Sequence, residues 1–406
     1  MITSSGDMSI SPRTEWAPAE LTRWLVDEGR LIAELEQFTT ELGQRLLRLG
    51  VPLMRMRVSV RTLNPQTIGK AYTWWRDRPK IEIYSPTHSI TSSADYLGSP
   101  IESVQNTGQP FRCRLALADQ DTLHSSLQTL HEEGATDYIA IPLRFSQDKK
   151  PSTWILTTDH PQGFSEADLS GFAEISRLLA PILEVFALRL TTQSLLDTYL
   201  GPRTGRKVFS GQVKRGDGEL IEAVIWYCDM RDSTAITESL NHQQLLKLLN
   251  QYFEIINAAV TEHGGEVLRF IGDAMLVVFP SGSRSLKEAS EAALRAARTA
   301  HENVNKVNPS LTKQGFPAIR YGLGLDVGEV IYGNIGAPNR LDFTVMGAAV
   351  NRAARIENLT KQTGCSTLVS ETFAKLLPTR VQFEGDFYVA GVERALKVYS
   401  LDKELD

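Results

Sequence analysis

The chain has 406 residues, enough for two or three domains of ordinary size. With 42% hydrophobic and 22% charged residues and a formal net charge of −5, it has the composition of an ordinary soluble protein, with no general attraction to nucleic acid or an anionic membrane. Its three cysteines, Cys113, Cys228 and Cys365, lack CxxC spacing, so they point to neither a disulfide framework nor a zinc site and fit a reducing cytoplasm.

Residues 1–18, rich in Ser, Thr and Pro, predict a disordered start without the basic and apolar regions of a signal peptide. Residues 19–50 carry Leu21, Trp24, Leu25, Leu31, Leu35, Phe38, Leu42 and Leu46 at helical spacing, which predicts a helical segment with a break near Gly29. Over 51–190, alternating runs (LMRMRVSV, KIEIY, YIAIPLRF, STWILTT) between turn residues predict an antiparallel sheet with helices. Ser165 and Asp168 form a cap signature ahead of a long amphipathic run, which Glu174, Arg177, Glu184 and Arg189 keep from reading as a membrane span. Strands followed by such a capped helix resemble a GAF domain, a small sensory fold. The resemblance implies either a small-molecule ligand or a ligand-free dimerisation role for 51–190. Cys113, in the FRCRL run, reads as a chromophore attachment point or simply as part of a strand. The helical pattern continues to Gly201-Pro202, and RKVFSGQVKRGDGELIEAVIWY predicts a short polar pair of strands, so 191–215 reads as a helical/strand linker. GPRTGRK lacks P-loop spacing.

In 216–406, the apolar residues Ala223 to Tyr227 predict a buried strand ending at Cys228-Asp229-Met230, and Arg231-Asp232-Ser233-Thr234 open a helix. A carboxylate at a strand end beside free helical N–H groups suits a metal-bound phosphate, although an Asp before a helix also serves as a plain cap. A helix over 243–263 follows, and GGEVLRFIGDAML predicts two strands meeting at a Gly-Asp turn, with Asp273 at the hairpin tip. Residues 321–336 predict a strand pair whose Gly322, Gly324 and Gly328 do not match a dinucleotide fingerprint, and LDFTVMGAAVNRAARIE enters a helix with Asn351 and Arg355 on one face.

These three blocks, in this order over about 216–402, resemble the class III nucleotidyl cyclases. The resemblance implies a ferredoxin-like α/β domain, so that the whole chain is α/β (α+β), and a head-to-tail homodimer. It also implies two Mg²⁺ or Mn²⁺ ions on Asp229 and Asp273 with Met230 beside them, Ser233 and Thr234 near the phosphates, Asn351 orienting the ribose and Arg355 stabilising charge on the α-phosphate. Asp229 and Asp273 of one protomer would face Asn351 and Arg355 of the other. Two base-reading positions differ between adenylate and guanylate members. Here they hold Arg269, where adenylate cyclases usually have Lys, and Thr344. A cationic donor and a hydroxyl acceptor complement adenine N1 and N6, which favours ATP over GTP. The longer Arg leaves a pyrimidine substrate open, since cytosine shows the same pattern. The family's phosphate-binding Lys is absent from its usual place at Val389-Ala390-Gly391, and Arg394 or Lys397 are the candidates to replace it. A catalytically silent nucleotide-binding regulator is the rival reading; such proteins usually lose a metal Asp or the Arg, and both are kept here.

Overall fold

The computed structural model describes residues 16–146, 149–389 and 394–401. The chain divides into two compact units, residues 1–195 and 196–406. Most of the stretch expected to be disordered, residues 1–15, lies outside the described residues.

The first unit begins with α1 (Pro18–Asp27) and α2 (Leu35–Arg48), separated by a short 3-10 turn at Gly29–Leu31. Its strands are β1 (Arg55–Arg61), β2 (Gly69–Trp75), β3 (Glu82–Tyr84), β4 (Phe111–Cys113), β5 (Asp137–Leu143) and β6 (Ser152–Thr158). They form one antiparallel sheet in the order β3-β2-β1-β6-β5-β4. The helices α3 (Pro100–Thr107) and α4 (Ser125–Glu132) are interleaved, and α5 (Glu166–Leu200) follows. The expected cap is present: Ser165 Oγ accepts the Asp168 N–H at 3.1 Å and Asp168 accepts the Ser165 N–H at 2.8 Å. Alternation sends Met56, Val58 and Val60 into a core with Leu25, Phe38, Leu42, Trp154 and Phe172, which belong to α1, α2, α5 and β6. The opposite sheet face is covered as well, by Val104 of α3 and Leu127 and Leu130 of α4 over Trp75, Tyr138 and Ile155.

The second unit continues with α6 (Pro202–Phe209), β7 (Gly218–Met230), α7 (Ser233–Ser239), α8 (His242–Glu262), β8 (Glu266–Ile271), β9 (Ala274–Pro280) and α9 (Leu286–Lys313). It ends with β10 (Tyr321–Ala337), β11 (Arg340–Met346), α10 (Ala348–Thr363), β12 (Thr367–Ser370), α11 (Glu371–Leu376), β13 (Val381–Phe387) and β14 (Leu396–Leu401). From β7 to β10 the order strand, helix, strand, strand, helix, strand gives the sheet order β10-β7-β9-β8, the ferredoxin-like arrangement expected. On β7 the even residues Val224, Trp226, Cys228 and Met230 face the core under α8 and α9, while Ala223 and Ile225 face the other side with α10.

Two expectations are corrected. The polar pair of strands expected at 206–227 is a helix followed by one strand, and 191–215 contains no strand. Pro202 sits at the start of α6, Gly201 adopts φ 87°, and the Glu266 carboxylate accepts the Arg203 and Thr204 N–H groups at 3.0 and 3.1 Å, so a residue distant in sequence caps the helix. The strand pair expected at 321–336 is the single strand β10, paired with β7 from Tyr321↔Met230 to Gly333↔Gly218. Gly322, Gly324 and Gly328 make room for α10 and do not turn the chain: a Cβ at Gly324 would lie 2.2 Å from the Ala353 carbonyl oxygen.

Candidate active site

The pairing of β7 with β9 sets Asp229 opposite Ala274, the residue after Asp273, so the strand end and the hairpin tip bring the two acids together. Gly272 supplies the positive φ of 65° that the two-residue turn needs. Burial, and next the Asp273 carboxylate, raise the pKa of Asp229, while Lys361 of α10, 3.6 Å away, opposes the shift. Oδ2 of Asp273 is sealed from solvent and has no hydrogen-bond partner. An acid whose ionised form the fold penalises, beside a second with an orphaned buried oxygen, is what a divalent cation relieves. Among the described residues no cluster of three or more His, Cys, Asp or Glu side chains is shaped to hold a metal, so a cation at this pair would need main-chain or substrate oxygens as well.

A groove of about 480 Å³ opens beside the pair, lined by Met230, Ser233, Thr234, Thr237, Gly272 and Asp273 among others. It gathers four of the expected site residues. The Met230 thioether packs under α8, so only its carbonyl is at hand for a cation. Ahead of α7, Asp232 has φ 58° and is the one described non-glycine residue with positive φ; its carboxylate accepts from Arg320 at 2.6 Å. A strained residue three positions after Asp229 fixes the direction in which the chain leaves the site.

Behind Asp229 lies a buried polar group that the sequence did not disclose. Arg231 lies 3.7 Å from Glu357 and donates to Thr360, and burial, followed by the charge of Asp229, pushes Glu357 up to about 7. Gly322 leaves room for this group, since a Cβ there would lie 2.4 Å from Glu357 Oε1.

Asn351 and Arg355 share one face of α10, but at 100° per residue this face is opposite the one carrying Ala353, Glu357 and Thr360. Asn351 is exposed, Arg355 is half-buried, and neither side chain has a hydrogen bond or ion pair among the described residues. One chain therefore presents the two acids and the Asn-Arg pair on different surfaces. Arg269 of β8 donates to Asp342 of β11, an acid two residues from Thr344 and on the same strand face. Thr344 is buried. Arg394 and Lys397 are exposed at the β14 end of the sheet, with β12 and β10 between them and β7, so this chain does not bring them to Asp273. Ala390 and Gly391 lie outside the described residues.

No helix among the described residues is long and apolar enough to cross a membrane. Residues 219–403 match the family model of the adenylate and guanylate cyclase catalytic domain. An adenylate cyclase of Anabaena cylindrica is 33% identical over 186 residues, 44% of this chain and 36% of that protein. Adenylate cyclase 1 of Rhizobium meliloti is 29% identical over 182 residues, 44% of this chain and 27% of that protein. The match thus spans about a third or less of these curated relatives. Among solved structures, the adenylyl cyclase CyaB of P. aeruginosa aligns with a TM-score of 0.42 and 24% identity over 46% of this chain and 95% of that one. Residues 219–403 are thus similar to the adenylate and guanylate cyclase catalytic domain.

Proposed function

We propose that this domain converts ATP into 3′,5′-cyclic AMP and pyrophosphate. The observation that carries the reading is the pairing of Asp229, whose pKa is raised, with Asp273, which keeps an unpartnered buried oxygen. Two Mg²⁺ or Mn²⁺ ions would be held by these acids and the Met230 carbonyl, supplying charge neutralisation to the triphosphate and a lowered pKa to a hydroxyl. In the reaction the ribose 3′-oxygen bonds to the α-phosphorus as the bond to the pyrophosphate oxygen breaks. Arg355 stabilises the charge growing on the α-phosphate oxygens with a planar donor fork, and Asn351 positions the ribose. Ser233 and Thr234, on the groove wall beside Asp273, contact the phosphates. Since one chain does not bring them to its own Asp273, Arg394 or Lys397 would reach the terminal phosphates from the partner protomer.

The opposed faces of α10 support an active site shared by a homodimer: the Asp pair of one protomer meets the unpartnered Asn351 and Arg355 of its partner, giving two equivalent sites. Arg269 donates to adenine N1 while Asp342 holds the guanidinium, and Thr344 accepts from N6. Asp342 also favours a second reading. Released from Arg269, its carboxylate would accept from guanine N1–H, and GTP would be the substrate. Residues 51–190 act as a GAF-like sensory or dimerisation domain that regulates the cyclase of a cytoplasmic enzyme.

The deciding experiment incubates the purified chain with Mn²⁺ and each of the four nucleoside triphosphates and identifies products by mass spectrometry. ATP is expected to exceed GTP in kcat/KM by about tenfold or more, because one mismatched buried hydrogen bond is worth about 1–3 kcal/mol. No cyclic product from any nucleotide would leave a silent nucleotide-binding regulator. A preference for GTP or CTP would overturn the base assignment alone.

A further inference from the structure

The first unit holds two half-buried cations that have no ion-pair partner among the described residues. Arg55 and Arg57 lie two residues apart on β1, on the sheet face turned away from Met56, Val58 and Val60. Their neighbours in register are Trp75 and Thr157 for Arg55, and Thr73 and Ile155 for Arg57; Ala71 and Thr153 flank Ser59. Both arginines are half-buried, yet the Nε of each is sealed from solvent without a hydrogen-bond partner. The same holds for Oγ of Ser59 and for Oγ1 of Thr153 and Thr157, and both threonines are fully buried. Among the described residues neither guanidinium forms an ion pair. The acids whose charge reaches Arg55 are Glu133 and Glu82, and Arg78 holds both, at 3.3 and 2.5 Å. What the two arginines do meet are ring faces: Arg55 lies 5.2 Å from the Trp75 ring and Arg57 lies 5.8 Å from that of Tyr84. Burial, and then the like charge of Arg57, lower Arg55 to about 10, and burial lowers Arg57.

Two like charges about 7 Å apart along one strand, withdrawn from water with donors unmatched, are costly in an unliganded domain. The guanidinium fork suits a carboxylate or phosphate, and the hydroxyls beside it add neutral donors. We propose that the first unit binds a small organic anion on this face, its oxyanion held by Arg55, Arg57, Ser59, Thr153 and Thr157 and its apolar body against Trp75 and Ile155. The proposal rests on the sensory reading of residues 51–190 and gives that reading a ligand class and a site.

The test titrates the full chain with phenyl phosphate and with phenylacetate by calorimetry, in EDTA so that metal-dependent triphosphate binding does not contribute. At least one probe should bind, and the tighter one tells whether the natural oxyanion is a phosphate or a carboxylate. Arg57→Met should weaken binding about tenfold or more and raise the melting temperature of the unliganded chain, since it removes an unpaired buried charge. Arg57→Lys, which keeps the charge and loses the fork, should weaken binding while leaving the fold intact, and it carries the test if the Met variant fails to fold. Neither probe binding at millimolar concentration, or binding unchanged in the variants, would overturn the proposal. Binding is read without turnover, so failure of this site and failure of the regulatory reading are separate results.

Discussion

Glu266 joins the second unit's sheet to α6, and its replacement has effects that can be worked out from the bonds it makes. The side chain is 8% exposed; besides the Arg203 and Thr204 N–H groups it accepts from the Tyr332 hydroxyl at 3.2 Å, and Tyr332 and Thr204 bond each other at 2.6 Å. Glu266→Ala leaves two N–H groups at the start of α6 without an acceptor. With charge-assisted bonds at about 1.5 kcal/mol each, discounted for water entering the gap, the cost is about 3 kcal/mol, or about a hundredfold in local opening. Hydrogen exchange at the Arg203 and Thr204 amides reads this directly, and its ratio to exchange along β7 separates opening of α6 from unfolding of the domain. Glu266→Gln keeps one acceptor oxygen and should cost about 1 kcal/mol. The pH dependence has a definite sign. Burial, the largest influence, raises the Glu266 pKa against the lowering by the two amides, so the folded state binds the proton more tightly than the unfolded chain. The resulting stability is complete below the ordinary value of 4.5 and declines as pH rises through the raised value; the Gln variant should lack that decline. Protection of Arg203 and Thr204 within threefold of wild type in the Ala variant would refute this account of the cap.

Asp229→Ala or Asp273→Ala should reduce cyclic nucleotide formation to below about one per cent of wild type, because one acid cannot hold both ions; a variant keeping more than a few per cent rules out the two-metal assignment. Mixing inactive Asp273→Ala with inactive Arg355→Ala chains should restore activity, since the heterodimer regenerates one intact site, and continued inactivity after demonstrated subunit exchange rules out a shared site. Arg269→Glu combined with Thr344→Cys should move preference from ATP toward GTP in a competition assay, while Asp342→Ala should lower ATP turnover by freeing Arg269; an unchanged ATP:GTP ratio in the double variant sinks the base-reading roles.

The parts of the site legible in the sequence were those coded by local pattern. The run from Ala223 to Tyr227 is apolar, so its end at Asp229 could be placed, and Gly272 requires a turn, so Asp273 could be set at its tip. The four-residue spacing of Asn351 and Arg355 fixes a shared helix face whatever surrounds it. Groups assembled by tertiary pairing were not legible. Asp342 gains its relation to Arg269 only when β11 folds back on β10, and Glu357 and Arg231 meet only because Gly322 lets α10 approach the sheet. The α6 error has the same origin: eight residues that include Pro202 and Gly205 carry no strong helical signal, and their cap comes from Glu266, more than sixty positions later.

The first unit shows a second limit of pattern reading. In LMRMRVSV the period of two states which residues share a face, and it assigns Arg55 and Arg57 to the face opposite Met56 and Val58. It does not state whether that other face meets water. In an exposed sheet the arginines would be ordinary solvated charges, but α3 and α4 cover this one, so the same alternation creates a buried pair of donors. Asp229, Asp273 and Glu266 stand in the same position: polar groups that the fold withdraws from water and whose chemistry calls for a partner. For Glu266 the partner is α6, within the chain. For the acids and the arginines the described residues supply none that suffices, and an unmet demand of this kind belongs to what the protein binds.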